Sequence, residues 1–381
     1  METRKLYYED CHMAVFSSRV MSCVQTAGGW EVILEATAFY PEGGGQACDL
    51  GTLGDAQVLD VRERGEAVVH LCDAPLAGTV EGRVDYARRF DLMQQHSGEH
   101  IVSGIIHARY GYHNVGFHMG SDVITIDFDG PIPAGDLPAI EAAANEAVWK
   151  NLPMHIWYPS PDELPTVGYR TKRALPWPVR IVEVPGYDKC ACCGVHVAAT
   201  GEIGPIKLFS IMKFHQGVRM EMACGKRALD HLTAVYDQNR QVSQAFSAKI
   251  LETGDAARKM NEALAAEKFR VTGLQRRLLE GIAAGYAGKG GAVHFEDGLD
   301  PVLVRELADK MAAVCGGTAA VFSGDDRAGY AFALVTRDGD LRALGKEMTA
   351  ALNGRGGGKP ICQQGRVNAA KAQILAFFAG R

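Results

Sequence analysis

Two clusters of histidine and cysteine in this chain have the spacing of metal ligands. His96 and His100 lie four residues apart in the run HSGEH. Because the residues on both sides of this run favour a helix, the two imidazoles are expected to project from one helical face, where they can bind one metal ion. The same spacing also suits two ordinary polar residues on a half-exposed face, so the pair needs partners.

Partners occur about ninety residues later, in the run CACCGVH that ends at His196. The CxxxH spacing from Cys192 to His196 would complete a tetrahedral site with one sulfur and three nitrogens, a ligand set typical of Zn²⁺. Cys190 or Cys193 could replace Cys192, and a purely structural zinc clip that uses several of these thiols is the alternative. The other seven of the ten cysteines are scattered, which favours reduced thiols over a disulfide framework.

Catalysis at this site would require more than the four ligands. A shell of four protein ligands is normally closed, so one position must open before zinc can polarise an ester carbonyl and lower the pKa of bound water toward ~7. Glu99 is a candidate base next to His100. Its side chain is turned about 100° around the helix from that ligand, which favours a solvated or supporting role.

The elements around these motifs predict an α+β protein with four parts. Residues 1–90 alternate short β-rich runs with Gly, Asp and Pro turns, which predicts a β-rich N-terminal domain. Residues 91–225 begin with a helix near Asp91 and mix strands with a second helix near 138–151, which predicts an α+β domain that contains the candidate zinc ligands. Residues 226–288 predict two long helices joined near 252–255, as a hairpin or stalk, and residues 289–381 predict a C-terminal α/β globular domain.

Composition and charge limit the class of protein. No run approaches the ~18 apolar residues of a membrane span, and the N-terminus lacks the pattern of a secretory signal, so we expect a cytoplasmic protein that does not enter a membrane. Residues 1–225 carry 18 Lys and Arg against 28 Asp and Glu, a net charge of −10, which leaves +5 for residues 226–381. This split weakly indicates a nucleic-acid platform in the second half.

A resemblance follows from three motifs taken together. The run TAFYPEGGGQ from Thr37 to Gln46, the run HSGEH, and the run CCGVH followed by VAATGEIG resemble the alanyl-tRNA editing (AlaX) family in its long form. The front part resembles the editing domain of alanyl-tRNA synthetase. Residues 226–381 resemble the C-terminal domain of that synthetase, a helical stalk and a globular piece implicated in tRNA binding. Because long helices with apolar stripes often pack against a partner, this region could also form a homodimer.

The resemblance implies roles for particular residues. It makes Zn²⁺ the cofactor, with ligands at His96, His100, Cys192 and His196. It places Thr37 and the glycine run where backbone and hydroxyl can meet the substrate, which gives these expected substrate contacts: Gly43, Gly44, Gly45 and Gln46. The family has Cys-Gly-Gly-Thr-His where this chain has Cys192-Cys193-Gly194-Val195-His196, and this departure leaves the choice of cysteine open.

The implied activity is hydrolysis of mischarged tRNA(Ala) in trans, mainly seryl-tRNA(Ala) and also glycyl-tRNA(Ala). Serine is larger than alanine, so an editing site must demand the hydroxyl instead of excluding by size, and Thr37 is a candidate partner for it. Expected phosphate contacts in the basic tail are Arg355, Lys359 and Arg366. Two alternatives stay open: a non-catalytic RNA-binding protein stapled by zinc, and a metallohydrolase of small esters whose second half forms a homodimer.

Overall fold

The computed structural model describes residues 2–171 and 177–379. The chain divides into an N-terminal unit, residues 1–241, and a C-terminal unit, residues 242–381. Both units mix helices with sheets, as an α+β protein does, and the described residues contain seven α-helices. Within these residues, no helix is both long and apolar enough to cross a bilayer.

A closed six-stranded barrel forms the first part of the N-terminal unit. Going around it, the strands are β2 (Val15–Thr26), β3 (Gly29–Leu34), β7 (Ala67–Cys72), β6 (Ala56–Arg64), β5 (Gly51–Leu53) and β8 (Thr79–Val84). Alternate residues of β8 are buried, which fills the barrel with apolar side chains. Closure leaves the barrel strands without an open sheet edge. Two short strands, β1 (Arg4–Lys5) and β4 (Ala36–Thr37), pair in parallel beside it.

Helix α1 (Tyr86–Tyr110) follows the barrel and carries the first metal-ligand motif. It begins earlier than the Asp91 expected from the sequence, because the Asp85 side chain accepts a hydrogen bond from the backbone N–H of Arg88 and caps the first turn. Gly111, with φ of 76°, ends it. In the first turn, the fully buried Arg89 donates to the fully buried Asp49 of the barrel region.

The remaining elements of the N-terminal unit surround α1. A four-stranded sheet contains β14 (Ile206–Phe214), β15 (Gly217–Cys224), β10 (Ile124–Phe128) and β9 (Asn114–Met119), in that order. A three-stranded sheet contains β11 (His155–Trp157), β12 (Ile181–Val184) and β13 (Asp188–Ala191). Helix α2 (Leu137–Trp149) packs on α1, and β13 and β15 also contact α1. The helix with the histidines is therefore held on several sides.

Two long helices follow, as the sequence predicts: α3 (Gly225–Phe246) and α4 (Thr253–Ala284). The C-terminal unit then forms a five-stranded sheet in the order β16 (Gly290–Phe295), β17 (Gly316–Asp325), β18 (Gly329–Val335), β20 (Cys362–Val367) and β19 (Gly354–Lys359). Only β16 and β17 pair in parallel, and α5 (Pro301–Cys315) connects them. Residues of α4 and α5 contribute to one buried apolar cluster of this unit. Residues of α6 (Arg342–Ala351) and α7 (Lys371–Phe378) contribute to a second cluster.

Candidate metal centre

The structure brings the four predicted ligands together. The Nε2 atoms of His96 and of His196 each lie 3.4 Å from the Cys192 Sγ atom. With His100, these residues form a group whose candidate ligand atoms all lie within 4.8 Å of one another. Three of the four are buried, and Cys192 is partly buried. The arrangement of one sulfur and three nitrogens therefore fits a tetrahedral zinc site.

Local structure explains how the cysteine reaches the histidines. Cys192 and His196 lie on the segment that follows β13, and a Cβ atom on Gly194 of this segment would overlap the His96 ring. Arg180 Nη1 donates to the carbonyls of Cys192 and Gly194 at 2.9 and 2.8 Å. The Tyr8 hydroxyl donates to the carbonyl of Cys193 at 2.6 Å. Three successive carbonyls are thus held from outside, which fixes the path of the ligand segment.

Each histidine has a hydrogen-bond partner at its other ring nitrogen. His96 Nδ1 lies 2.9 Å from Gln46 Oε1, and His100 Nδ1 lies 3.0 Å from Asp188 Oδ2. His196 Nδ1 lies 3.1 Å from Ser97 Oγ. Because the Nδ1 atoms are engaged in this way, the Nε2 atoms are left for the cluster, and such outer partners orient metal-binding histidines.

The protonation states of the cluster also suit a cation. Burial raises the pKa of the Cys192 thiol, but the neighbouring histidines outweigh burial and hold that pKa well below its usual range. Burial, with the nearby His96, lowers the pKa of His196 to about 3. Burial alone would lower the pKa of His100, but hydrogen bonds to Asp188 and Cys192 raise it well above its usual value. A divalent metal would replace the His100 proton and meet a ready thiolate.

The two alternative cysteines, Cys190 and Cys193, lie outside the group of four candidate ligands. Cys190 belongs to a second group with His100 and Asp188, but Asp188 already accepts two hydrogen bonds from Arg170, at 2.7 and 2.9 Å. Cys193 is exposed, and its Sγ atom lies 4.0 Å from the hydroxyl of Tyr40. The geometry therefore favours Cys192 as the sulfur ligand.

A cavity of about 510 Å³ opens beside the cluster. Its lining includes three of the four candidate ligands, His96, His100 and Cys192, together with Glu99 and Phe117. Glu99 is only 3% exposed, so it does not have the solvated position expected from its place on the helix. It accepts hydrogen bonds from Ser103 Oγ, at 2.5 Å, and from Asn114 Nδ2. A buried carboxylate thus borders the space next to the metal centre.

The glycine run borders the same cavity. Gly44 and Gly45 line it and have φ of 63° and 85°, a region that favours glycine. A Cβ atom would lie 2.9 Å from the Cys193 Sγ atom at Gly44, and 2.9 Å from the Phe117 ring at Gly45. Gly43 is hydrogen-bonded through its backbone to Gln46, which closes the turn. The close approach expected of these glycines is made to neighbouring side chains.

Thr37 lies outside this cavity. It is fully buried in β4, where Oγ1 accepts from the backbone N–H of Phe39 and lies 2.8 Å from His70 Nε2. His70 Nδ1 lies 3.1 Å from the Val32 carbonyl, which can only accept, so Nδ1 carries the proton and the Thr37 hydroxyl donates to Nε2. Burial lowers the pKa of His70 to about 4 and keeps it neutral. This geometry gives the hydroxyl a partner inside the protein and lends no support to a role in reading serine.

The three predicted phosphate contacts share one hairpin of the C-terminal unit. Arg355 and Lys359 lie on the edge strand β19, and Arg366 lies opposite Arg355 on β20. All three are exposed, and side chains at alternate positions of a hairpin lie on one face. Arg366 donates to the Ala328 carbonyl at 2.6 Å. The glycine-rich tail is therefore a regular β-hairpin with one basic face.

Sequence reasoning missed the residues that hold the ligands in place. Gln46 was expected to contact substrate, Ser97 was given no role although it lies in the run HSGEH, and no motif included Asp188, Arg170 or Arg180. Spacing along the chain reveals ligands that share a helix or a tight loop, whereas these partners come from distant segments. Two local signals were available: Asp188 lies four residues before Cys192, and Ser97 lies within the run HSGEH.

Comparisons with known proteins agree with the motif reading. The family described as Threonyl and Alanyl tRNA synthetase second additional domain matches residues 179–219, which contain Cys192 and His196. An alanine–tRNA ligase from Thermofilum pendens is 32% identical over 97% of this chain, and the match covers 43% of the ligase. The alanyl-tRNA editing protein Aarsd1-A of Xenopus laevis is 28% identical, with 94% of this chain and 92% of that protein covered. For Aarsd1 of Mus musculus the identity is 28%, with 97% and 96% covered.

The chain thus spans less than half of the matched ligases but nearly all of the matched editing proteins. Among solved structures, the C-Ala domain of alanyl-tRNA synthetase from Aquifex aeolicus matches 24% of this chain at 18% identity. The TM-score of that match is 0.21, which carries no argument about the fold.

Proposed function

The chain is an AlaX-like homologue of the alanyl-tRNA editing proteins along nearly its whole length, and on that premise we propose that it hydrolyses mischarged tRNA(Ala) in trans. Its substrates are seryl-tRNA(Ala) and glycyl-tRNA(Ala), and its cofactor is zinc. The observation that carries the proposal is the group His96, His100, Cys192 and His196 beside an open cavity. A cavity next to the ligands is expected of a catalytic site and supports that choice over a zinc clip enclosed by protein.

The donor set fits zinc and supports hydrolytic chemistry at this site. The four residues would hold the ion, which when bound supplies Lewis-acid polarisation of an ester carbonyl and a water of lowered pKa. Gly44 and Gly45 present backbone to the cavity, and Phe117 forms an apolar wall that limits water. The Glu99 carboxylate borders the same space, held by Ser103 and Asn114, and is the candidate base that takes a proton from the attacking water.

The need for such an activity follows from the limits of recognition by size. A synthetase pocket built for alanine cannot strongly exclude glycine, and an added hydroxyl gives only about 100-fold discrimination. Hydrolysis of the wrong ester supplies the remaining accuracy. The correct product, alanyl-tRNA(Ala), should be spared.

The C-terminal unit supplies affinity for the tRNA in this proposal. The basic face of the β19–β20 hairpin, with Arg355, Lys359 and Arg366, is exposed and can contact phosphates. The exposed apolar side chains of α4, such as Leu264 and Phe269, are 51% and 83% accessible and are compatible with the homodimer expected from the sequence. A cytoplasmic location, where tRNA is charged and used, belongs to the same proposal.

The test is deacylation of purified seryl-, glycyl- and alanyl-tRNA(Ala), with and without a zinc chelator. We expect loss of seryl and glycyl esters, sparing of the alanyl ester, and loss of activity on chelation that zinc restores. Cys192→Ala should abolish activity and metal binding together. His155→Ala, at an exposed histidine on β11, is the matched control and should leave both unchanged.

Other outcomes would favour the alternatives. Zinc binding and tRNA binding without deacylation would identify a zinc-stapled RNA-binding protein, for which the largely buried four-ligand shell is the supporting observation. Hydrolysis of small esters with no preference for aminoacyl-tRNA would identify a general metallohydrolase. Full deacylation by the metal-free protein would refute the proposed mechanism.

A further inference from the structure

Gln46 connects the glycine turn to both halves of the metal centre. It is 1% exposed, so its amide lies almost entirely within the protein. Its Oε1 atom lies 2.9 Å from His96 Nδ1, on helix α1, and 3.1 Å from the backbone nitrogen of Val195, next to the ligand His196. One carbonyl oxygen therefore faces two ligand-bearing segments that are about a hundred residues apart in the chain.

The hydrogen-bond pattern determines which ring nitrogen of His96 carries the proton. The backbone N–H of Val195 can only donate, so the atom of Gln46 that faces it must be the oxygen and not the NH₂ group. The same oxygen faces His96 Nδ1, and two acceptors would repel each other there. His96 must therefore be protonated on Nδ1, which leaves the Nε2 lone pair directed at the cluster.

We propose that Gln46 is a positioning residue for the metal centre, because its oxygen locks His96 in the tautomer and ring orientation that present Nε2 to the metal. This inference rests on the metal site of the proposed function, and replaces the substrate contact expected for Gln46 from the sequence. Gln46 acts through His96 and takes no part in bond making or breaking.

The packing around the His96 ring supports this role. Phe117 stacks on the ring, with centroids 5.4 Å apart and planes at 29°. On the ligand segment, Gly194 leaves no room for the ring to shift, since a Cβ atom there would overlap it. The packing restricts the plane of the ring, but it does not determine which ring nitrogen carries the proton. The hydrogen bond to Gln46 Oε1 determines that.

The other two histidines have different kinds of partner at Nδ1. Asp188 is a charged acceptor for His100, and Ser97 can either donate to or accept from His196. Gln46 differs from both, because its neutral amide oxygen can only accept and so fixes the proton on His96 Nδ1. Its Nε2 atom is buried with no hydrogen-bond partner among the described residues. A buried unpaired donor is costly, so the NH₂ group gives no reason for a glutamine at this position, whereas the two contacts of its oxygen do.

The test compares two substitutions in the full-length protein. Gln46→Met has similar length and removes the acceptor, whereas Gln46→Glu keeps an acceptor and removes the unpaired NH₂ group. Gln57→Met, at an exposed glutamine of barrel strand β6, is the matched control. The metal is removed with a chelator, and zinc affinity is then measured by competition with a chromophoric chelator. Co²⁺ absorption spectra report the number of nitrogen and sulfur ligands.

We expect Gln46→Met to weaken zinc affinity by roughly tenfold to a hundredfold and to change the Co²⁺ ligand-field bands while the thiolate band remains. Gln46→Glu and Gln57→Met should stay within a few-fold of the unchanged protein. Circular dichroism checks that each variant folds.

Three results would overturn the inference: unchanged affinity and spectrum in Gln46→Met, equal loss in Gln46→Glu and Gln46→Met, or no metal binding by the unchanged protein. If Gln46→Met fails to fold, Gln46→Glu decides alone, since loss of affinity in that variant contradicts the role. Zinc binding without deacylation would defeat the proposed editing function but leave this inference intact. If the unchanged protein deacylates mischarged tRNA(Ala) but the Gln46→Met variant binds zinc normally, the editing function would stand and this inference would fail.

Discussion

Asp188→Asn is the substitution whose effect the structure defines best. The Asp188 side chain is 1% exposed, accepts two hydrogen bonds from Arg170, and accepts a third from the ligand His100. Asparagine keeps the shape but removes the charge. Arg170, with a side chain 11% exposed, would then be a nearly buried cation without its carboxylate.

The expected loss of stability follows from that unpaired cation. Two unit charges ~4 Å apart attract by about 4 kcal/mol at an effective dielectric constant of ~20. Breaking one side of a buried pair typically costs about 3–5 kcal/mol, and we expect a loss in that range. Adding Arg170→Met should recover most of it, because an apolar side chain of similar length then replaces the stranded charge.

Zinc affinity should respond differently from stability. Asp188→Asn weakens the acceptor of His100, so we expect roughly a tenfold to hundredfold loss of affinity. Arg170→Met cannot restore that acceptor, so the double variant should stay weak in zinc binding although it regains stability.

Urea unfolding of the zinc-free proteins measures stability without the contribution of bound metal, and chelator competition measures affinity. A loss below about 1 kcal/mol in Asp188→Asn would refute the reasoning, since it lies well under the value for a buried pair. So would a double variant no more stable than the single one. Recovery of zinc affinity in the double variant would show that Asp188 acts through Arg170 instead of through His100.

Three further predictions concern residues outside the metal centre. Because burial holds the pKa of His70 at about 4, the unfolded chain binds a proton first as pH falls, so the free energy of unfolding should drop by roughly 3 kcal/mol between pH 6.5 and 4. His70→Gln should flatten that dependence in urea titrations at several pH values, and an unchanged slope would contradict it. Thr37→Val should destabilise the protein by about 1–2 kcal/mol and leave the serine-to-alanine deacylation ratio within twofold, whereas a shifted ratio would favour the role expected from the sequence. Replacing both Arg355 and Lys359 by Ser should weaken tRNA binding and reduce the salt slope by about 2 in filter-binding assays, and an unchanged slope would exclude this hairpin from the phosphate contacts.

The sequence predicted which four side chains come together at the candidate metal centre, but it did not predict the residues that hydrogen-bond to them. His96 and His100 share a helix face, and Cys192 and His196 share a short loop, so local spacing was enough to predict that these four side chains come together. The partners of their Nδ1 atoms come from segments far apart in the chain, and nothing in a single sequence reports such contacts. Glu99 shows the same limit, because its angle around α1 could be calculated but the neighbours that bury it could not.

The same limit applies to secondary structure: local patterns predicted single elements, but not the pairing of distant strands. The two long helices, strand β10 and helix α2 were predictable from periodicity, since each is a local pattern. Closure of the barrel and the pairing order of the C-terminal sheet depend on contacts between distant strands. The basic tail illustrates the difference: its composition predicted phosphate contacts, whereas its pairing with β20 as a hairpin depends on contacts between strands.

The buried pair of Arg89 and Asp49 has a consequence for how this protein can be divided. Both side chains are fully buried, and Arg89 also donates to the carbonyls of Ala38 and Cys11, at 2.5 and 3.2 Å. Arg89 belongs to the helix that carries His96 and His100, whereas its three partners belong to the barrel region. A fragment that starts at α1 would keep a buried cation and lose every group that satisfies it. A shortened or transplanted version of this metal centre should therefore include the barrel region, or replace Arg89 by an uncharged residue.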